Sequence, residues 1–118
     1  MTHPIRGQIY LVQFDPTIGH EIQKTRPALV IQNNIGNKFS PITIVAAITS
    51  TLSAVPYPVE VPLSPTKQNG LTTPSSIRLN QIRSVDRQRL VKLLGKVDLQ
   101  TLNKVDSAIK ISLGLVEL

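Results

Sequence analysis

Apolar residues in this chain recur every second position for most of its length and every third or fourth only near its end. In ITIVAAITS (42–50), Ile42, Ile44, Ala46 and Ile48 alternate with Thr43, Val45, Ala47 and Thr49. That spacing predicts a strand with a bulky face and a smaller, more polar face bearing Thr49. QIYLVQF (8–14) and ALVIQN (28–33) read as two further strands, rich in β-branched and aromatic residues. In YPVEVPL (57–63), Tyr57, Val59, Val61 and Leu63 alternate with Pro58, Glu60 and Pro62; two prolines on one face predict an edge strand. SIRLNQIR (76–83) and LVKLL (90–94) complete the set. Between them DPTIG (15–19), NNIGNKFSP (33–41) and SPTKQNGLTTP (64–74) carry the Asn, Gly and Pro of turns and loops. After Gly95, Leu99, Leu102, Val105, Ile109, Leu113 and Val116 form a helical stripe, with Asp98 as N-cap and Lys104 and Lys110 on the solvated side. Short connections imply antiparallel hairpins. The expectation is one domain over residues 1–118, mainly β with a C-terminal α-helix, curled into a small barrel or strongly coiled sheet.

Composition narrows the chemistry. Of 118 residues 41% are hydrophobic but only 3% aromatic, so the core is built from Ile, Val and Leu, and stacking platforms for bases are scarce. No cysteine is present, which excludes disulfides, thiolate catalysis and cysteine-ligated zinc; His3 and His20 cannot by themselves close a metal site. Thirteen Lys and Arg against seven Asp and Glu give a net charge of +6, favouring a polyanion or an acidic protein segment as partner. MTHPIRG has no signal-peptide core and no apolar run reaches the length of a membrane span, so a cytoplasmic protein is expected.

Two positions stand out against this frame. Arg26 ends a polar, charged loop and opens an apolar strand, while Thr49 and Ser50 end the next strand, so a guanidinium and hydroxyls could share one rim. Arginine offers a rigid fork of donors that fits phosphate oxygens, and its charge persists at any ordinary pH. In cleavage of RNA by the neighbouring 2′-hydroxyl, negative charge gathers on the non-bridging oxygens; donors from Arg26 and Thr49 would stabilise it without metal or cofactor. Gly19 suits close backbone approach to a ligand, and Glu21, Lys24 and Thr25 gather charge and hydroxyl around it. Glu21 reads as a proton acceptor or as an orienting partner for Arg26 or Lys24. His20 has no pairing residue and reads as a loop histidine. Arg78, Arg83, Arg87, Arg89, Lys92 and Lys96 surround a single acid, Asp86. That cluster fits a solvated basic face as well as a polyanion track beside Gln81, whose amide can read a base edge.

In order along the chain stand RGQIY (6–10), FDPTIGHEIQKTRPALVIQNNIGNKFSP (14–41), IVAAITS (44–50), QIRSVDRQRL (81–90) and KVDSAIKISLGL (104–115). Together they resemble the MazF/PemK family of type II toxin–antitoxin endoribonucleases over nearly the whole length. The resemblance implies an SH3-like small β-barrel homodimer that cuts single-stranded RNA at a short sequence, without metal, leaving a 2′,3′-cyclic phosphate and a 5′-hydroxyl. It places the catalytic Arg and Thr on Arg26 and Thr49, the G-x-E loop element on Gly19 and Glu21, and the recognition glutamine on Gln81; on the ribonuclease reading, Lys24 and Ser50 are expected to help shape the substrate groove. It also implies a cognate antitoxin whose acidic, flexible tail fills that groove.

The chain departs from the family where acids commonly precede the Gln-Ile-Arg element. Ser75, Ser76 and Asn80 stand there, with Arg78 among them, so the recognised RNA word does not transfer. The competing classes are a toxin of the same fold acting on a protein such as DNA gyrase, resembling CcdB, and a non-catalytic RNA-binding module.

Overall fold

The alternating segments become strands and the terminal stripe becomes a helix. The computed structural model describes residues 3–15, 24–55 and 57–117. Its elements are β1 (Gln8–Gln13), β2 (Thr25–Val30), α1 (Asn34–Phe39), β3 (Ile42–Thr49), β4 (Glu60–Leu63), β5 (Ser75–Asp86), β6 (Leu90–Lys96) and α2 (Leu99–Ser112), with a 3₁₀ turn at Arg87–Arg89 before β6. The strands form one antiparallel sheet in the order β4-β5-β3-β2-β1-β6. This is the mainly β fold with a C-terminal helix that the pattern predicts, coiled like a barrel although no ladder closes β4 onto β6. A bond from the Lys96 N–H to the Gln68 carbonyl, 2.9 Å, ties edge strand β6 to the β4–β5 loop instead.

Each central strand is buried on both faces. Ala46 and Ile48 join Ile9, Leu29, Val61, Leu63, Ile77 and Leu79 in a core covered by Val105 and Ala108 of α2. Val45 and Ala47 turn the other way and pack with Val12, Phe14, Ala28, Val30 and Val85. Full burial of one such Leu or Ile contributes roughly 1.5–3 kcal/mol, so the alternation in β3 resists any slip in register.

Three expectations need correction. Residues 33–41 hold a short helix rather than a loop alone, because Asn33 caps it through Gly36 N–H and Asn37 turns inward and is fully bonded. β2 begins at Thr25, drawn in by pairing of Gln13 with Thr25 and Val12 with Arg26, and it ends at Val30. α2 stops at Ser112, where Gly114 at φ 73° lets the Gly114 and Leu115 N–H groups return to the Ile111 and Lys110 carbonyls. Leu113 and Val116 beyond that stop are exposed, as is Leu99 at the helix start, and the buried part of the stripe is its middle. Asp98 caps α2 as expected, accepting from Thr101 N–H at 2.8 Å. No helix among the described residues is long and apolar enough to cross a membrane.

Candidate functional site

The β2–β3 ladder runs from Val30 opposite Val45 to Ala28 opposite Ala47 and stops there. Pro27 comes next and has no N–H to contribute. Two residues beyond the last pair stand Arg26 on β2 and Thr49 on β3, so by strand alternation both side chains leave the sheet on the face of Ala28 and Ala47. Arg26 is exposed, whereas Thr49 is 9% exposed. The Thr49 hydroxyl accepts from the Thr51 N–H at 3.1 Å, which leaves its proton to donate, and no acceptor for that proton is found among the described residues.

Across from β3, strand β5 carries the next part of the rim. Thr49 pairs with Ser76 and Ala47 with Arg78, yet Ala46 pairs with Ile82, so Leu79, Asn80 and Gln81 form an extra loop within the strand. Such a bulge re-aims side chains beside a site. Leu79 drops into the core, bonded through its N–H to the Val59 carbonyl and through its carbonyl to the Ser112 hydroxyl. Gln81 is half-buried on the bulge and Ser50 is exposed directly after β3. Lys24 is exposed at φ 63°, the left-handed region where a side chain costs roughly 1–2 kcal/mol. Its N–H donates to Asp15 Oδ1 at 3.1 Å and its carbonyl accepts from Phe14 N–H at 2.9 Å, so the turn into β2 is pinned on both sides. Gly19, His20 and Glu21 lie outside the described residues.

The arginines of residues 78–89 resolve differently from a free basic track. Arg83 donates to the Phe14 carbonyl at 2.8 Å and stacks over the Phe14 ring, while Arg89 donates to the carbonyls of Gln13 and Asp15. Arg87 reaches the Ser40 carbonyl at 3.4 Å. Arg83 and Arg89 therefore brace the chain where β1 ends, Arg87 holds the connection between α1 and β3, and Lys92 and Lys96 remain as exposed cations of the cluster. Tyr10, on the Ala28 face, has its phenol pushed up by burial, with the nearby Arg87 charge pulling the other way.

One pairing was invisible in the sequence. Glu60, which shares the proline-bearing face of the alternating 57–63 segment, is 8% exposed and meets Arg78 Nη1 at 3.1 Å. Arg78 Nη2 donates to the Thr51 carbonyl at 2.7 Å, and the Ser53 hydroxyl donates to Glu60 Oε1 at 3.1 Å. Ser76 Oγ and Arg78 Nε are buried with no partner among the described residues. An acid and a base 18 positions apart on strands of unknown register carry no local signal.

The model of the PemK-like, MazF-like toxin of type II toxin–antitoxin systems matches residues 5–113. This chain belongs to that family. Endoribonuclease EndoA of Bacillus subtilis (strain 168) is 43% identical over 112 residues, covering 95% of this chain and 96% of that protein. Among solved structures, MazF of Deinococcus radiodurans superposes with a TM-score of 0.81 at 28% identity, over 97% of this chain and 99% of that one. An endoribonuclease in complex with its cognate antitoxin from a mycobacterial species gives 0.78 at 25% identity, over 98% and 99%. For a PemK-like toxin the register leaves a guanidinium-bearing and a hydroxyl-bearing residue on one face just past the end of the β2–β3 ladder, residue types suited to gripping an anionic group rather than to proton abstraction.

Proposed function

We propose that this PemK-like chain is a sequence-specific endoribonuclease toxin acting on single-stranded RNA in the cytoplasm, as one domain over residues 1–118 and as a homodimer. The observation that carries the reading is the β2–β3 register, which leaves Arg26 and Thr49 on adjacent strands, on one face, just past the end of their ladder. The Arg26 fork binds the non-bridging oxygens of the scissile phosphate, and the Thr49 hydroxyl donates to the same group. The substrate's 2′-oxygen attacks phosphorus and loses its proton, the P–O5′ bond breaks, and O5′ gains a proton. The products are a 2′,3′-cyclic phosphate and a 5′-hydroxyl, with no water, metal or cofactor consumed. Donors placed where charge develops account for the largest share of the acceleration. Gln81 reads a base edge from the β5 bulge, and Gly19, Glu21, Lys24 and Ser50 shape the groove.

The EndoA likeness and the antitoxin-bound mycobacterial structure support both activity and partner. A net charge of +6 fits an acidic antitoxin segment occupying the same groove as RNA. The test is incubation of the purified protein with a long single-stranded RNA in EDTA, beside Arg26→Ala and Thr49→Ala. Discrete cuts ending in cyclic phosphate that both variants lose are expected. Inhibition of DNA gyrase without cleavage, or gel shifts without cleavage, would overturn the reading in favour of a protein-directed toxin or an inert RNA-binding module.

A further inference from the structure

We infer that Arg78 is a positioning residue for Thr49, acting through the backbone of Thr51 and held in place by Glu60; the inference rests on the reading of Thr49 given above. β3 ends its ladder at the Thr49–Ser76 pair, so the chain beyond has no strand partner to hold it. Thr51 is nevertheless fixed at both of its backbone polar groups. Its N–H donates to Thr49 Oγ1 at 3.1 Å, and its carbonyl accepts from Arg78 Nη2 at 2.7 Å. The first of these bonds selects the Thr49 rotamer and directs its proton away from the turn, because a threonine hydroxyl otherwise chooses among staggered positions. The second bond keeps Thr51 where it can do so.

Glu60 completes the device. It takes Arg78 Nη1 at 3.1 Å and the Ser53 hydroxyl at 3.1 Å, so residues 51 and 53 are both fastened to the β4–β5 frame. With both terminal nitrogens bonded within the protein and its side chain 16% exposed, Arg78 is poorly placed to grip RNA itself. Its Nε is buried and has no partner among the described residues. A buried pair with an orphaned donor is a weak design for stability alone, since an apolar pair of similar volume does as well or better. A planar guanidinium has the geometry to reach a carboxylate and a carbonyl at once.

The experiment maps a cut site, then uses an RNA containing it and the same RNA with a 2′-deoxyribose at that position, which binds but cannot be cut. Two variants are compared with the native protein and Thr49→Ala. One carries Glu60→Leu with Arg78→Met, so that neither charge is left buried alone; the other carries Arg78→Lys, which keeps a cation for Glu60 and loses the fork. Single-turnover cleavage by both is expected to fall between about 10- and 100-fold, the scale of a small misplacement of a reacting group. Affinity for the deoxy RNA is expected to stay native. Hydrogen exchange at the Thr51 amide should quicken, as it should in Thr49→Ala, while the Ala47 amide in the ladder stays protected. Should the doubly substituted protein not fold, Arg78→Lys alone decides. Native cleavage in a folded variant, a loss in affinity rather than rate, or a lost rate with native Thr51 exchange would each overturn the inference. Native cleavage by Thr49→Ala would instead overturn the site reading itself, and the positioning role with it.

Discussion

Thr43 and Thr49 sit on the same face of the same strand and are 0% and 9% exposed, yet their hydroxyls are used in opposite ways. Thr43 donates to Asn37 Oδ1 at 2.7 Å. That oxygen also accepts from Gln32 Nε2, and Asn37 Nδ2 donates to the Gln32 carbonyl, so the cluster is closed on itself. It extends through Asn34 to the Arg6 N–H, and Arg6 in turn pairs with Asp106 of α2 at 2.6 Å. Thr49 does the reverse, accepting from a backbone N–H and keeping its proton unplaced among the described residues, beside the unpartnered Ser76 Oγ and Arg78 Nε. Each satisfied hydrogen bond stabilises by about 1 kcal/mol net, whereas each unsatisfied buried group costs about 1–3 kcal/mol. One end of β3 is thus glue for α1, and the other keeps polar capacity that no described residue satisfies.

Four changes test that contrast. The largest effect is expected at the open end, where Arg26→Ala should lower RNA cleavage by about 10³-fold, read as initial rates on a mapped cut site. Arg26→Lys should be nearly as impaired despite its charge, because an ammonium lacks the planar fork; native rates there would remove fork geometry from the account. Thr49→Val deletes the free donor and should cost about 10²-fold in rate with a thermal midpoint close to native. Thr43→Val should show the mirror image. Removing its donor from the closed cluster is expected to cost about 1–3 kcal/mol in denaturant unfolding, with cleavage per folded molecule unchanged. A drop in specific activity there, or a large loss of stability in Thr49→Val, would erase the distinction between the two ends.

The smallest effect belongs to Asp98, which like Thr49 accepts from a nearby backbone N–H but does so in the open. The bond from Thr101 holds its carboxyl below the ordinary value of 3.8. Its folded value being depressed, the stability it contributes is fully present above the unfolded value and is lost as pH falls through the folded one. Thermal midpoints of Asp98→Asn should therefore converge on those of the native protein in acid and fall below them near neutrality. Cleavage should not respond, which would mark this cap as purely structural.

How far the sequence reached varies from element to element. β3 appears with the bounds its alternation predicts, because both of its faces are buried and each demands its own apolar set. The edge position of β4 agrees with Pro62, which cannot donate to a second neighbour, although the strand begins only at Glu60 and leaves Tyr57, Pro58 and Val59 outside it. α1 was missed because NNIGNKF reads as turn residues, and its helix depends on Asn37 finding Gln32 and Thr43 in three dimensions. Within the candidate site, Arg26 and Thr49 were legible as residue types at strand ends. Glu60 and Arg78 were not, since a charged pair declares itself only once two strands are in register.

Periodicity, capping residues and turn chemistry act between neighbours in the chain, so residue order alone determined that strands would alternate, that Asp98 would start a helix, and that cations would outnumber acids. The tertiary structure decided which carbonyls the arginines would brace, that β5 would buckle at Leu79, Asn80 and Gln81, and which half of each threonine hydroxyl would be used. Those outcomes depend on contacts between residues far apart in sequence, whose partners are chosen by sheet register and burial rather than by local preference.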